Sequence, residues 1–236
     1  MKKTISKLAA ALGAAAVLSA GSVGATTLDF IKHIDGFGAT PGVGEKAMEG
    51  TPFSSVFVPI ATTARGYTRQ NPSSGGIKDD APYAYFDGNQ AGIGVCKVLV
   101  AGNQCSPSND DNVTAGEILG LSWGSDVLLQ SLSFRGEAHP NDPSFAAGDK
   151  FDYSTNGGTT WFTKQLINAK DGVVSFGGLF LGANQQILLA FNNQQFYVSA
   201  AELTAVPIPA AAWLLGSGLA GLFAIGRRRR TVAITA

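Results

Sequence analysis

Apolar and β-branched residues come in short runs along this chain, and Gly, Pro, Asn and Asp cluster between them. The runs occupy 28–34, 53–60, 83–86, 93–100, 118–123, 127–134, 151–154, 161–167, 173–176, 187–191 and 196–200. Their length and their separation by turn formers predict strands, and their number predicts an all-β fold, specifically a jelly-roll-like β-sandwich. Between the two ends no segment has a 3.6-residue apolar period, so no helix is expected there, and His33 is placed on the first strand. In 127–134, strict alternation sets Leu128, Gln130, Leu132 and Phe134 on one face and Val127, Leu129, Ser131 and Ser133 on the other. Both faces are partly apolar, as in a central strand. The stretches 39–49 and 70–81 are rich in Gly, Pro and Ser and read as loops. No internal repeat is evident.

The two ends break this pattern. Residues 1–25 carry Lys2, Lys3 and Lys7, then an uncharged run over 8–20, then Val23-Gly24-Ala25. A basic start, an apolar centre and small residues before a cut are the parts of a secretory signal peptide, with the mature chain expected from Thr26. The run is too short to span a bilayer comfortably. At the other end no charge occurs from Val206 to Gly226, and Arg227, Arg228, Arg229 and Arg230 follow. Pro209 suits a first helical position, so a single transmembrane helix is expected over about 209–226, near the lower length limit for a span. The arginines would stay cytoplasmic and Trp213 would lie at the outer interface. Residues 231–236 would form a short cytoplasmic tail, leaving 26–205 as the ectodomain.

Charge changes the picture further. The whole chain holds 17 basic and 17 acidic residues, but 26–205 holds 10 basic and all 17 acidic ones, a net of −7. A body of that sign is repelled by phosphate, which excludes sequence-independent nucleic-acid binding. Charged residues make up only 14% and Gly reaches 30, which excludes a long coiled coil, while 45% hydrophobic residues exclude wholesale disorder.

The order Val206-Pro207-Ile208-Pro209-Ala210, then an apolar stretch containing Trp213, then Arg227 to Arg230 resembles the PEP-CTERM sorting signal of Gram-negative bacteria, in its Val-Pro-Leu-Pro-Ala variant. Ile208 replaces the commoner Leu, and six residues follow the arginines. The resemblance covers 206–230. It implies a substrate of a membrane-embedded exosortase, held transiently in the inner membrane and then released to the cell surface or the extracellular polysaccharide matrix. It implies no activity for the body. The sequence of motifs from Tyr83 to Glu117 looks like other exported bodies of that class, again without an activity.

Cys96 and Cys105 are the only cysteines. In an exported chain they are expected to pair, which for so short a loop contributes about 2.7 kcal/mol. Asp110, Asp111 and Asn112, with Glu117 beyond and Asp87 and Asn89 on another loop, offer the oxygen ligands that Ca²⁺ takes. The spacing is not that of an EF-hand, and an Asx-rich turn that satisfies its own backbone is the competing reading. No other cofactor is expected. Residues 154–161, Ser-Thr-Asn-Gly-Gly-Thr-Thr-Trp, resemble an Asp-box with Asn156 in the Asp position, which marks a hairpin and not a sialidase. Gly120-Leu121-Ser122-Trp123-Gly124 matches a nucleophile elbow, but the apolar run that follows it predicts a strand where the elbow needs a helix. Glu117, Glu137, Asp142 and Asp149 are carboxylates that a glycoside hydrolase would need to bring face to face. His139 has no visible partner. Tyr67, Tyr83, Tyr85, Tyr153 and Tyr197 are divided between core, rim and sugar-stacking roles.

The reading is therefore an exported, non-catalytic surface or extracellular-matrix protein, adhesive or polysaccharide-binding. Its alternatives are a secreted glycan-active hydrolase on the same scaffold and a permanently anchored surface protein.

Overall fold

The first apolar run divides into a strand and a helix. Asp29 ends β1 (Thr26–Asp29) and serves as the N-cap of α1 (Phe30–Asp35), its Oδ1 accepting from the Lys32 backbone N at 2.9 Å. Phe30, His33 and Ile34, at helical spacing, are the residues that α1 buries. This corrects the expectation of a single strand over 28–34 with His33 on it: one capping carboxylate and three inward side chains suffice for a helix too short to leave a clear period. The computed structural model describes residues 24–70, 77–78, 82–139, 145–166, 172–206 and 218.

The remaining elements are strands. They are β2 (Gly36–Phe37), β3 (Thr40–Pro41), β4 (Lys46–Ala47), β5 (Phe53–Ser55), β6 (Val58–Arg69), β7 (Ile77–Lys78), β8 (Tyr83–Asp87), β9 (Gly92–Cys96), β10 (Leu99–Val100) and β11 (Gln104–Cys105). They continue with β12 (Glu117–Trp123), β13 (Val127–Arg135), β14 (Lys150–Ser154), β15 (Phe162–Gln165), β16 (Gly172–Leu181), β17 (Ile187–Phe191) and β18 (Tyr197–Ala205). The fold is all-β. One seven-stranded sheet runs β16-β13-β18-β9-β8-β4 with β1 also on β18, and the other runs β15-β14-β17-β12-β6-β5 with β7 also on β6. Pairing between the strands is antiparallel throughout. β2 with β3 and β10 with β11 form small separate hairpins.

Two sequence expectations shift at specific residues. The run 53–60 spans the turn between β5 and β6, and β6 extends to Arg69 through 61–69, where burial alternates from Ala61 to Gly66 although polarity does not. In β13 the register on both neighbours slips between Leu129 and Ser131. That extra residue flips the alternation, so Val127 and Leu129 before it and Leu132 and Phe134 after it all face the core.

Both sheets contribute to one apolar cluster: Val58, Leu119, Leu121, Phe151 and Leu189 from one, and Phe86, Ile93, Leu129, Phe134 and Val198 from the other. Phe134 and Phe151 have ring centroids 4.7 Å apart across the two sheets, and Phe196 closes on both at 5.3 and 5.8 Å. Each such side chain removed from water stabilises the fold by about 1.5–3 kcal/mol. A second cluster of Tyr67, Ile118, Leu188 and Ala190 is covered by Trp161, and a third joins Tyr85 to Cys96 and Cys105. Residues 23–206 form one compact unit.

Among the described residues no helix is long and apolar enough to cross a membrane. Apart from residues 24 and 25 of the signal peptide and 218 of the span, the segments 1–25 and 209–226 and the motif residues Pro207, Ile208, Pro209, Trp213 and Arg227 to Arg230 lie outside the described residues. Val206, the first residue of that motif, donates its backbone N–H to Asp126 O at 3.0 Å.

Candidate functional site: an acidic cleft under the disulfide loop

Cys96 and Cys105 are joined, with a Cα–Cα distance of 5.8 Å. The bond ties the end of β9 to β11 and so anchors the loop that follows, which carries Ser108, Asn109, Asp110 and Asp111. Gly94, on β9, is what lets this loop settle: a Cβ there would stand 1.9 Å from Asp111 O. The Tyr85 hydroxyl beneath the disulfide donates to Glu45 Oε1 at 2.8 Å and accepts from Cys105 N at 3.3 Å, fixing Glu45 to the same region.

The loop is one wall of a cleft of about 410 Å³, within the usual range of small-molecule sites. The other walls are Glu45 before β4, Asp87 at the end of β8, Asn89 in the β8–β9 turn, Glu137 and His139 after β13, and Tyr197 at the start of β18. Four carboxylates thus share one concavity, and among the described residues no Lys or Arg lines it.

Asp87 is only 5% exposed. Burial first, then the charge of Asp111 and the weaker influence of Glu45 and Asp35, push its carboxyl up to about 7, against a hydrogen bond with Tyr197. Asp111 is also shifted upward by burial, opposed by Tyr197, its own backbone amide and His139. The Tyr197 hydroxyl, 1% exposed as a residue, donates to Asp111 Oδ1 at 2.5 Å. Burial and the two neighbouring carboxylates hold that hydroxyl protonated far above its ordinary range. His139 Nε2 stands 3.1 Å from Asp87 Oδ2, and its ring meets Tyr197 edge-on at 5.4 Å. Asp87 Oδ2 is buried, makes no hydrogen bond and has His139 facing it. At the mouth, Glu137 Oε2 accepts from Gln195 Nε2.

Ser108, His139 and Asp87 are the residue types of a hydrolytic triad, but His139 contacts Asp87, Asn89 and Tyr197, and Ser108 is not among its partners. Asp87 and Asp111 both reach the Tyr197 hydroxyl. They therefore share one wall and titrate together, whereas glycosidase carboxylates flank the sugar from two sides. Among the described residues no three or more His, Cys, Asp or Glu side chains come together to hold a metal ion.

The residues singled out in the sequence go to different places. Asp110 pairs with Lys97 at 3.1 Å. Glu117 accepts from Thr114 N and Oγ1 at 2.7 and 2.8 Å, while its Oε1 lies 3.1 Å from Lys97 Nζ. Asn112 is buried with no partner for either side-chain polar atom. Only Asp111 of that set enters the cleft, where it meets Asp87 and Asn89 from the loop already named beside it. Of the carboxylates weighed for hydrolysis, Glu137 lines the cleft, Asp149 Oδ2 accepts from Ala146 N at 2.6 Å, and Asp142 lies outside the described residues. Ser122 is a buried strand residue of β12 opposite Thr63, with β13 and not a helix next, so the elbow is not built. The Asp-box-like segment forms the β14–β15 hairpin: Asn156 Oδ1 accepts from Thr160 N at 2.9 Å, and Gly157 and Gly158 take positive φ. Glu45, Ser108 and Tyr197 carry no local signal for the cleft. Tyr197 stands in the sequence only as one of five tyrosines divided between core, rim and sugar stacking, and Glu45 reads as a polar loop residue.

Set against protein-family models, curated proteins and solved structures, the chain matches none.

Proposed function

We propose that the chain is an exported protein of the cell surface or extracellular matrix, with a jelly-roll-like β-sandwich ectodomain that binds a polar ligand, a matrix polysaccharide, and catalyses no reaction. Residues 1–25 direct export, and the signal at 206–230 holds the chain in the inner membrane until an exosortase sorts it. The observation that carries the binding reading is the cleft, where five separate segments place carboxylate, amide, hydroxyl and imidazole groups around about 410 Å³ without a nucleophile–base pair. A ligand rich in hydroxyl groups has donors for each of these acceptors.

Two measurements test the two halves. Intact-mass analysis of the mature protein from the surface fraction is expected to give a chain starting at Thr26 and lacking Trp213 to Arg230. Retention of those residues overturns sorting. A glycan array probed with the mature protein is expected to show binding that Asp111→Ala abolishes, and an array with no signal overturns the polysaccharide reading.

A further inference from the structure

One buried titratable group lies apart from the cleft. His33, on α1, is 4% exposed, and its ring stacks on Phe53 at 5.1 Å and meets Phe86 edge-on at 5.5 Å. Its Nδ1 stands 2.9 Å from Ser55 Oγ. That oxygen already accepts from Phe57 N and Val58 N, each at 3.2 Å, so both of its lone pairs are taken and its own hydrogen points at His33 Nδ1. Nδ1 is therefore an acceptor, and the proton of the neutral ring sits on Nε2, which is buried and has no hydrogen-bond partner. A second proton has to enter at Nδ1, against the Ser55 hydroxyl, and it places a charge between two phenyl rings. What His33 holds down is a strap. From Asp35 to Glu45 no residue is buried. Val43 N and Gly44 N donate to His33 O and Ile34 O, each at 3.0 Å, and a Cβ on Gly42 would stand 2.0 Å from Ile34 O, so the β2–β3 hairpin hangs on the last turn of α1.

We propose that His33 is an acid-operated latch: proton uptake by its ring lifts α1 off β5 and β8 and releases the strap 35–45 that α1 carries. Burial first, and then the charge of Lys46 on β4, resist that proton and hold the ring below its ordinary 6.5. No other element packed against α1 offers a free counter-charge. β5 has no ionisable side chain, Cys96 of β9 is in the disulfide, and Asp87 of β8 lines the cleft. On β18, Tyr197 donates to Asp111 and Glu202 accepts from Ser131. Around α1 itself Lys32 pairs with Asp29, and Asp35 accepts from Gln90 N. The released ring titrates at its ordinary 6.5 and the latched ring lower. Below 6.5 the open form therefore binds the extra proton first, and the opening constant grows by about tenfold between pH 7.5 and 5.5.

The test is amide hydrogen exchange of the protein at pH 7.5 and 5.5, corrected for the intrinsic exchange rate. Opening at the α1 amides and at Val43 and Gly44 is expected to increase about tenfold at the lower pH, and the amides of β12 and β17 are expected not to follow. His33→Phe keeps the ring stack and cannot charge, so in that variant the increase is expected to vanish. Opening that ignores pH in the parent, or that increases equally in His33→Phe, overturns the latch. Because Asp87 titrates in the same variant and in the parent alike, the difference between the two belongs to His33. A second readout stands even if the variant does not fold. In nitrogen-15 NMR spectra of the parent, with the His139 ring assigned by its loss in His139→Gln, the His33 ring is expected to carry its proton on Nε2 at pH 7.5 and to titrate below 6.5. A proton found on Nδ1 at pH 7.5, or a midpoint at or above 6.5, overturns the proposal.

Discussion

Two buried aspartates in this molecule have nearly equal exposure and opposite circumstances. Asp152, on β14, is 6% exposed and fully engaged: its Oδ2 meets Arg69 Nη1 at 2.8 Å, and its Oδ1 accepts from Thr163 Oγ1 and Asn192 Nδ2 at 2.7 and 2.8 Å. Arg69 in turn lies against the Trp161 ring at 4.5 Å, beneath the Asp-box-like hairpin. Asp87, at 5%, has a second carboxylate for a neighbour and one oxygen without a hydrogen bond. Burial is therefore no guide to role by itself. A buried carboxylate held by a cation and donors stays charged and serves the fold, and one pressed against a second carboxylate is driven toward its protonated form.

The largest expected effect lies on the complete side. Arg69→Ala leaves Asp152 buried without its cation and is expected to cost about 3–5 kcal/mol of stability, whereas the double replacement Arg69→Met with Asp152→Leu restores most of it. Urea denaturation of both variants checks this, and equal losses would mean that the pair is a net source of stability after all. Reduction of Cys96 and Cys105 is next, expected to remove about 2.7 kcal/mol and lower the melting temperature. Because the bond anchors the Asp111 loop, reduction is also expected to weaken ligand binding at the cleft more than it disturbs the Asp152 cluster.

Asp87 sharpens the contrast through pH. Its carboxyl moves from an ordinary 3.8 to about 7 on folding, so between those values the folded chain binds more protons than the unfolded one. Stability then falls as pH rises across that window, by on the order of 2 kcal/mol. Asp87→Asn is expected to flatten this part of the curve and to be more stable than the parent at pH 8, in thermal melts taken from pH 4 to 8. The smallest effect belongs to the turn over the complete side. Asn156→Ala removes the acceptor for Thr160 N and is expected to cost about 1 kcal/mol, measured by the same melts.

Much of the strand pattern was legible because burial on a sheet has a period of two and turns have their own residues. Runs 83–86, 118–123, 127–134, 151–154 and 187–191 correspond to β8, β12, β13, β14 and β17. The exceptions have local causes that a hydrophobic pattern does not display. Asp29 starts a helix by accepting one backbone hydrogen bond, and the bulge at 129–131 reverses the faces of β13. For the cleft, Asp87, Asn89 and Asp111 could be grouped from their loops, but their association with Asp110, Asn112 and Glu117 did not hold in space. Lys97 draws Asp110 and Glu117 to itself, and neighbouring loop residues point to different sides.

What the sequence alone determined is the chemistry that depends on neighbours along the chain: strand alternation, the Asn156 turn, two cysteines nine positions apart and the surplus of acid between two basic ends. The tertiary structure decided which carboxylate found a cation and which did not. Arg69 and Asp152 are 83 positions apart and Tyr197 and Asp111 are 86 apart: the first pair joins β6 and β14 across two intervening strands of one sheet, and the second joins the start of β18 to the loop after β11. Hydrogen bonding and Coulomb attraction act over a few ångströms of space, a distance that separation along the chain does not encode.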